Sequence, residues 1–172
     1  MKATMQYNIL VTGPPASGKS TLIQDLIKGK KVFGILTPEV RKDSERWGFK
    51  VIDIKTGKEG ILASIEIRPH MVSKYGVDVA ELDRIALHAI EAGIKTKDSV
   101  IVIDEIGSME MHSEKFKKVV LKALDTKRVL ATISMKTKND FVEKIKSRPD
   151  VKLVYLTRVN YERLTKEISE EL

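Results

Sequence analysis

The sequence predicts an α/β fold: a mostly parallel sheet as the middle of three layers, helices on both faces, and an added antiparallel β-hairpin. Three observations carry that expectation. Short apolar runs alternate along the chain with stretches of helical spacing, as when doubly buried strands lie between amphipathic helices. A glycine-bordered segment, Gly13-Pro14-Pro15-Ala16-Ser17-Gly18-Lys19-Ser20, joins the first such run to the first helical stretch. Residues 46–67 depart from the plan, because Trp47, Phe49 and Val51 alternate with Gly48, Lys50 and Ile52.

Residues 7–12 read as a strand, and Leu22, Ile23, Leu26 and Ile27 give helical spacing from about Gly18. Val32 to Leu36 is a buried strand ending before Thr37-Pro38. Residues 46–54 and 60–67 form the hairpin around 55–59, and 68–77 read as loop. Asp78 caps a helix over 79–92, where Val79, Leu82, Ile85, Ala86 and Ala89 share a stripe and Gly93 ends it. Ser99 to Ile103 is a strand, Ser113 to Asp125 a helix, and Arg128 to Ser134 a strand. A helix over 139–147 stops before Pro149, Val151 to Leu156 is a strand, and residues 160–171 close the chain as a helix. No repeat or linker divides the sequence, so residues 1–172 are expected to be one domain with an insertion at about 46–67.

The glycine-bordered segment matches G-x-x-x-x-G-K-[ST], the phosphate-binding loop of P-loop NTPases, which makes the expected architecture the three-layer P-loop NTPase fold. Its backbone N–H groups close around phosphate oxygens, and the following helix aims its positive end at the anion. Pro14 and Pro15 have no N–H, so the donors come from about Ala16 onward, through Ser17, Gly18, Lys19, Ser20 and Thr21. Lys19 offsets charge on the β and γ groups, and the Ser20 hydroxyl faces Mg²⁺.

Composition narrows the partners. The chain carries a formal net charge of +7, but residues 1–86 hold +4 and 87–172 hold +3. An even spread argues against a concentrated nucleic-acid face. No apolar run reaches membrane-spanning length and Met1 to Asn8 has no apolar leader, so the expected address is the cytoplasm. The absence of cysteine removes thiolate chemistry, and 32% charged residues with few Asn and Gln fit a heat-adapted protein.

A second motif supplies acids. Val100-Ile101-Val102-Ile103-Asp104-Glu105 is an apolar strand ending in two carboxylates, where α/β sheets bind ligands. Asp104 reads as the Walker-B aspartate, holding Mg²⁺ directly or through its water shell. Glu105 reads as the base that activates or orients a water attacking the γ-phosphorus.

Five blocks now carry a resemblance: Gly13-Pro14-Pro15, Thr37-Pro38-Glu39-Val40-Arg41, Trp47-Gly48-Phe49, Lys74-Tyr75-Gly76-Val77 and Ile103-Asp104-Glu105-Ile106-Gly107-Ser108-Met109-Glu110. Together they resemble the thermophilic, or cancer-related, nucleoside-triphosphatase family, over a span reaching about Ala131. The resemblance implies a small Mg²⁺-dependent P-loop enzyme that hydrolyses nucleoside triphosphates with broad base tolerance. It also implies a sheet intermediate between nucleotide kinases and motor-type ATPases. Two departures stand out. Ala16 replaces the usual loop glycine, which costs stability or loop geometry if the position needs a glycine backbone angle. Asn160-Tyr161 replaces an Asn-Arg pair, with Arg158 and Arg163 flanking it.

Weaker candidates complete the reading. Arg41, then Arg46, is the first choice to stabilise charge on the transferring phosphate, against a surface ion pair. Lys74 and Tyr75 are possible substrate contacts, and Thr132 and Ser134 possible γ-phosphate sensors or backbone satisfiers. Trp47 and Phe49 read as core rather than base-stacking residues, Met109 and Met111 as packing, and Glu110 equally as structural or functional. His70, His88 and His112 have no metal-ligand spacing. The expected activity is Mg²⁺-dependent hydrolysis of ATP, GTP, CTP and UTP to diphosphate and phosphate. The alternatives are a nucleoside or nucleotide kinase whose hairpin walls an acceptor site, and a nucleotide-operated switch or nucleic-acid partner.

Overall fold

The computed structural model describes residues 5–172, and the part of the leader reading that falls on residues 1–4 lies outside them. In chain order the elements begin with β1 (Asn8–Thr12), α1 (Lys19–Leu26) and β2 (Val32–Leu36). An antiparallel run follows: β3 (Glu39–Lys42), β4 (Glu45–Asp53), β5 (Glu59–Ser64), β6 (Met71–Val72) and β7 (Tyr75–Val77). Then come α2 (Val79–Lys95), β8 (Val100–Ile106), a 3₁₀ turn (Glu110–His112), α3 (Glu114–Asp125) and β9 (Val129–Ile133). The chain closes with α4 (Asp140–Lys146), β10 (Val151–Tyr155) and α5 (Tyr161–Glu171).

Among the described residues all ten strands join one sheet, in the order β10-β1-β9-β8-β2-β4-β5-β7-β6, with β3 paired to β4. The five strands from β10 to β2 are parallel, and everything beyond β2 is antiparallel. The inner parallel strands β1, β9 and β8 are apolar and buried on both sides because helices cover both faces, whereas the edge strand β10 leaves Lys152, Leu153 and Tyr155 exposed. In β1, Leu10 faces a core closed by α2, α3 and α4, while Ile9 and Val11 face one closed by α1 and α5. The predicted mostly parallel three-layer fold is therefore the observed one.

Three local readings are corrected, and a segment that carried no assignment, residues 39–45, is filled in. Glu39–Lys42 is a strand, turned onto β4 by Asp43 and Ser44 at φ 51° and 65°, a turn usually built with Asn-Gly. Residues 68–77 are not loop throughout, since β6 and β7 form a small hairpin whose β7 pairs with β5. Gly93 does not end α2, which runs to Lys95. A Cβ there would lie 2.9 Å from Phe33 Cβ and 3.0 Å from Ile101 Cγ1, so this glycine serves close helix-to-sheet packing. Finally, β8 continues past Ile103 to Ile106, carrying the acid pair inside the strand.

Helix ends follow the sequence more closely. Asp78, Ser113 and Asn139 each accept a backbone N–H three residues on, as N-caps do. The C-terminus of α2 is closed by Arg128, at the start of β9. Its Nη1 donates to Ser99 O (2.7 Å) and Thr96 O (3.1 Å), and its Nη2 to Ile94 O (3.1 Å). A cation among carbonyls at a helix C-terminus satisfies orphan acceptors and complements the helix dipole. Arg128→Met keeps the side-chain bulk but leaves those carbonyls without a donor, and is expected to cost about 2–3 kcal/mol of stability. A urea titration with an unchanged midpoint would contradict this.

Candidate active site

The turn after β1 is shaped by what lies beneath it. Gly13 sits at φ 154°, and a Cβ there would come within 2.5 Å of Leu156 O, at the end of β10. Only glycine lets β10 run so close under the loop. Ala16 adopts φ 59°, the left-handed region, so the chain bears a non-glycine residue where glycine is at ease. Gly18 caps α1, whose first residues, Lys19 and Ser20, follow directly. Lys19 Nζ donates to Gly13 O (2.9 Å) and Pro14 O (3.0 Å), folding back across the loop mouth. Ser17 is 7% exposed, and its Oγ is buried without a hydrogen-bond partner. That hydroxyl lies under the loop, 3.2 Å from where a Gly13 Cβ would stand.

Opposite the loop, β8 presents the acids. Its register against β9 slips between Ile103 and Ile106, placing three steps of β8 against two of β9. A bulge of this kind re-aims side chains. The peptide between Asp104 and Glu105 is cis. Asp104 is held from both neighbouring strands: Thr132 Oγ1 on β9 donates to Asp104 Oδ1 (2.6 Å), and Thr37 Oγ1 after β2 donates to Asp104 O (2.8 Å). Glu105 lies over Gly107, where a Cβ would be 2.9 Å from its Oε1. Burial, then the neighbouring Asp104 charge, pushes the Glu105 carboxyl up, with Lys19 opposing.

Loop and acids share one cavity of about 670 Å³, lined by Lys19, Ser20, Asp104 and Glu105 among others. Ala16, Gly18 and Thr21 also line it. A cavity of similar size beside β10, near Tyr7 and Lys152, contains none of these groups. The Ser20 hydroxyl and Asp104 carboxylate offer the hard oxygen donors that suit Mg²⁺.

The remaining candidates separate clearly. Arg41 is absent from the cavity lining; its Nε donates to Glu39 Oε1 (2.8 Å) and its Nη1 to Ser44 O (3.0 Å), closing the β3–β4 turn. Arg46 does line the cavity, paired with Glu39 Oε2 at 3.0 Å. Tyr75 and Phe49 line it too, whereas Lys74 lies over the Tyr75 ring and Lys42 over Trp47. Ser134 Oγ accepts from Thr137 N and Thr137 Oγ1, the backbone-satisfying role. Tyr161, in the place of the expected arginine, donates from Oη to Asp25 Oδ2 (2.8 Å), tying α5 to α1.

Sequence reasoning did not resolve Glu110. It is 2% exposed, lines the cavity, and accepts the Gly107 N–H at Oε2 (3.1 Å). The available signal was local only: an acid flanked by two methionines, Met109 and Met111. Burial, then the charge of Glu105, pushes its carboxyl up to about 8, so it is protonated at neutral pH.

Two outcomes follow from this geometry. Ala16→Gly removes a left-handed alanine that costs about 1–2 kcal/mol, less what added chain freedom returns, and is expected to raise the urea midpoint; a lower midpoint would contradict the loop conformation. The folded protein keeps the Glu110 proton, which an unfolded chain releases above its ordinary pKa of 4.5. That contribution is complete below the unfolded pKa and is lost as pH rises toward about 8. Glu110→Gln retains the Gly107 acceptor and has no proton to lose. Its stability is expected to fall less than wild type between pH 5 and pH 8, and parallel profiles would overturn the assignment.

Comparisons with known proteins agree with the fold. The family model described as NTPase matches residues 8–169. The nucleoside-triphosphatase THEP1 of a Thermotoga species is 44% identical over 163 residues, covering 93% of this chain and 92% of its own. The protein of that name from Methanothermobacter thermautotrophicus is 41% identical over 151 residues, 84% of each chain. The crystal structure of THEP1 from the hyperthermophile Aquifex aeolicus matches with a TM-score of 0.84 and 33% identity, covering 94% of this chain and 96% of that one. The solution structure of a human cancer-related nucleoside triphosphatase matches at 0.80 and 32%, covering 95% and 96%. Agreement of this extent, in sequence and in fold, makes the chain a member of the NTPase family of P-loop nucleoside-triphosphatases.

Proposed function

We propose that the protein hydrolyses nucleoside triphosphates at the γ-phosphorus, giving diphosphate and phosphate, with Mg²⁺ and without strong preference among ATP, GTP, CTP and UTP. One observation carries the reading: Glu105, a partly buried carboxyl with a raised pKa, shares a cavity with the phosphate loop. A carboxylate brought closer to neutrality is a better proton acceptor for a water molecule. Base tolerance is supported by a loop that reads phosphates through backbone N–H groups, and by relatives whose names specify no base.

In this mechanism Lys19 exchanges its two loop carbonyls for oxygens of the β and γ phosphates. The amides from Ala16 to Thr21 hold the polyphosphate in place. Ser20 and Asp104 are the residues that would hold Mg²⁺, directly or through water, and the ion when bound neutralises phosphate charge. Thr132 and Thr37 keep Asp104 facing the loop. Glu105 orients water and takes its proton, while Gly107, fastened by Glu110, leaves room for that carboxylate. Arg46 is better placed than Arg41 to meet charge on the γ oxygens, because it already lines the cavity.

Glu105→Gln keeps the shape and removes the base. Phosphate release from all four triphosphates is expected to fall by about 10²–10⁴ in kcat, with KM changed far less. Undiminished release by this variant would sink the water-activating role.

A further inference from the structure

The cavity has two chemically different halves. One is the phosphate side, with Lys19, Ser20, Asp104 and Glu105. The other is lined by Phe49, Leu62, Val72 and Tyr75, one residue from each of β4, β5, β6 and β7. The Phe49 and Tyr75 rings meet edge to face, 5.4 Å apart at 76°. Arg46 lies 5.7 Å over Phe49 and is steadied by Glu39, giving the apolar wall a charged rim.

The position of this wall fixes which substrate end it borders. It is built on the antiparallel strands beyond β2, and β2 pairs with β8 at Leu36 and Asp104. Thr37, leading into those strands, bonds the Asp104 carbonyl. The wall therefore abuts the acids, at the γ end of a bound triphosphate. Phosphate oxygens and a single water gain nothing from aromatic and aliphatic side chains, so hydrolysis alone does not account for it. An apolar enclosure with a few convergent polar groups is the form of a small-molecule site.

We propose that this half of the cavity binds an organic phosphoryl acceptor, a small molecule with a flat apolar or aromatic body and a primary hydroxyl, and that the protein transfers the γ-phosphoryl group to it. The inference rests on the role given to Glu105 above. Glu105 takes the hydroxyl proton, the acceptor oxygen bonds to the γ-phosphorus, and the bond to the β,γ-bridging oxygen breaks. That electron pair leaves with the nucleoside diphosphate, and the other product is a phosphate monoester. Water and the acceptor compete for the same carboxylate.

Benzyl alcohol and ethanol at equal concentration serve as probes, with Mg²⁺ and GTP, and phosphorus NMR measures ester and free phosphate in the same reaction. Wild type is expected to form benzyl phosphate at least about tenfold in excess of ethyl phosphate, the discrimination an apolar pocket gives. Phe49→Ala, and separately Val72→Ser, are expected to lower the benzyl ester-to-phosphate ratio toward that of ethanol. Because the ratio comes from active molecules only, partial misfolding of a variant does not alter it. Equal ester yields from the two alcohols, or free phosphate with no ester, would overturn the acceptor site while leaving hydrolysis intact. Absence of both products would overturn the hydrolase reading together with this one.

Discussion

The molecule depends on how Asp104 is suspended. Its carboxylate is fixed by Thr132 from β9 and its carbonyl by Thr37 after β2, so one residue is gripped by both strands beside it. Because β9 lies between β1 and β8, the phosphate loop and the acids are separated by two strand spacings, about 9.5 Å. In the proposed mechanism, that gap takes a phosphate and a nucleophile between Lys19 and Glu105. The bulge in β8 then turns consecutive acids toward the gap where a regular strand would send them to opposite faces.

Around this constraint the two parts of the sheet divide the work. The inner parallel strands β1, β9 and β8, buried on both sides, carry the loop and the acids. The antiparallel strands beyond β2 give the cavity its far wall, including Phe49, Leu62 and Tyr75. Glu110 supports the acids from within the same cavity: its buried carboxyl, held mostly protonated, fastens the Gly107 backbone over which Glu105 lies. Keeping a proton there avoids placing a third carboxylate charge beside Glu105 and Asp104.

The sequence made the layered fold and the phosphate loop legible because both are local. Alternating apolar runs report two-sided burial, and the loop residues act through their own backbone. Asp104 and Glu105 were legible as acids on an apolar strand, but the bulge that aims them depends on pairing with β9 and leaves no local pattern. The Asp43-Ser44 turn lacks the glycine that usually marks such a hairpin, which hid β3. Arg41 and Arg46 lie on adjacent strands and both pair with Glu39, so sequence order could not say which reaches the cavity. Gly93 looked like a helix stop because the chain cannot show that Phe33 and Ile101 press against it.

The most direct test of the account is hydrolysis of GTP in water enriched with ¹⁸O, followed by mass spectrometry of both products. Water activated by Glu105 attacks the γ-phosphorus, so the account predicts one ¹⁸O atom in the released phosphate and none in the diphosphate. Label in the nucleotide product, or release of pyrophosphate, would place the attack elsewhere and contradict the arrangement of loop and acids described above.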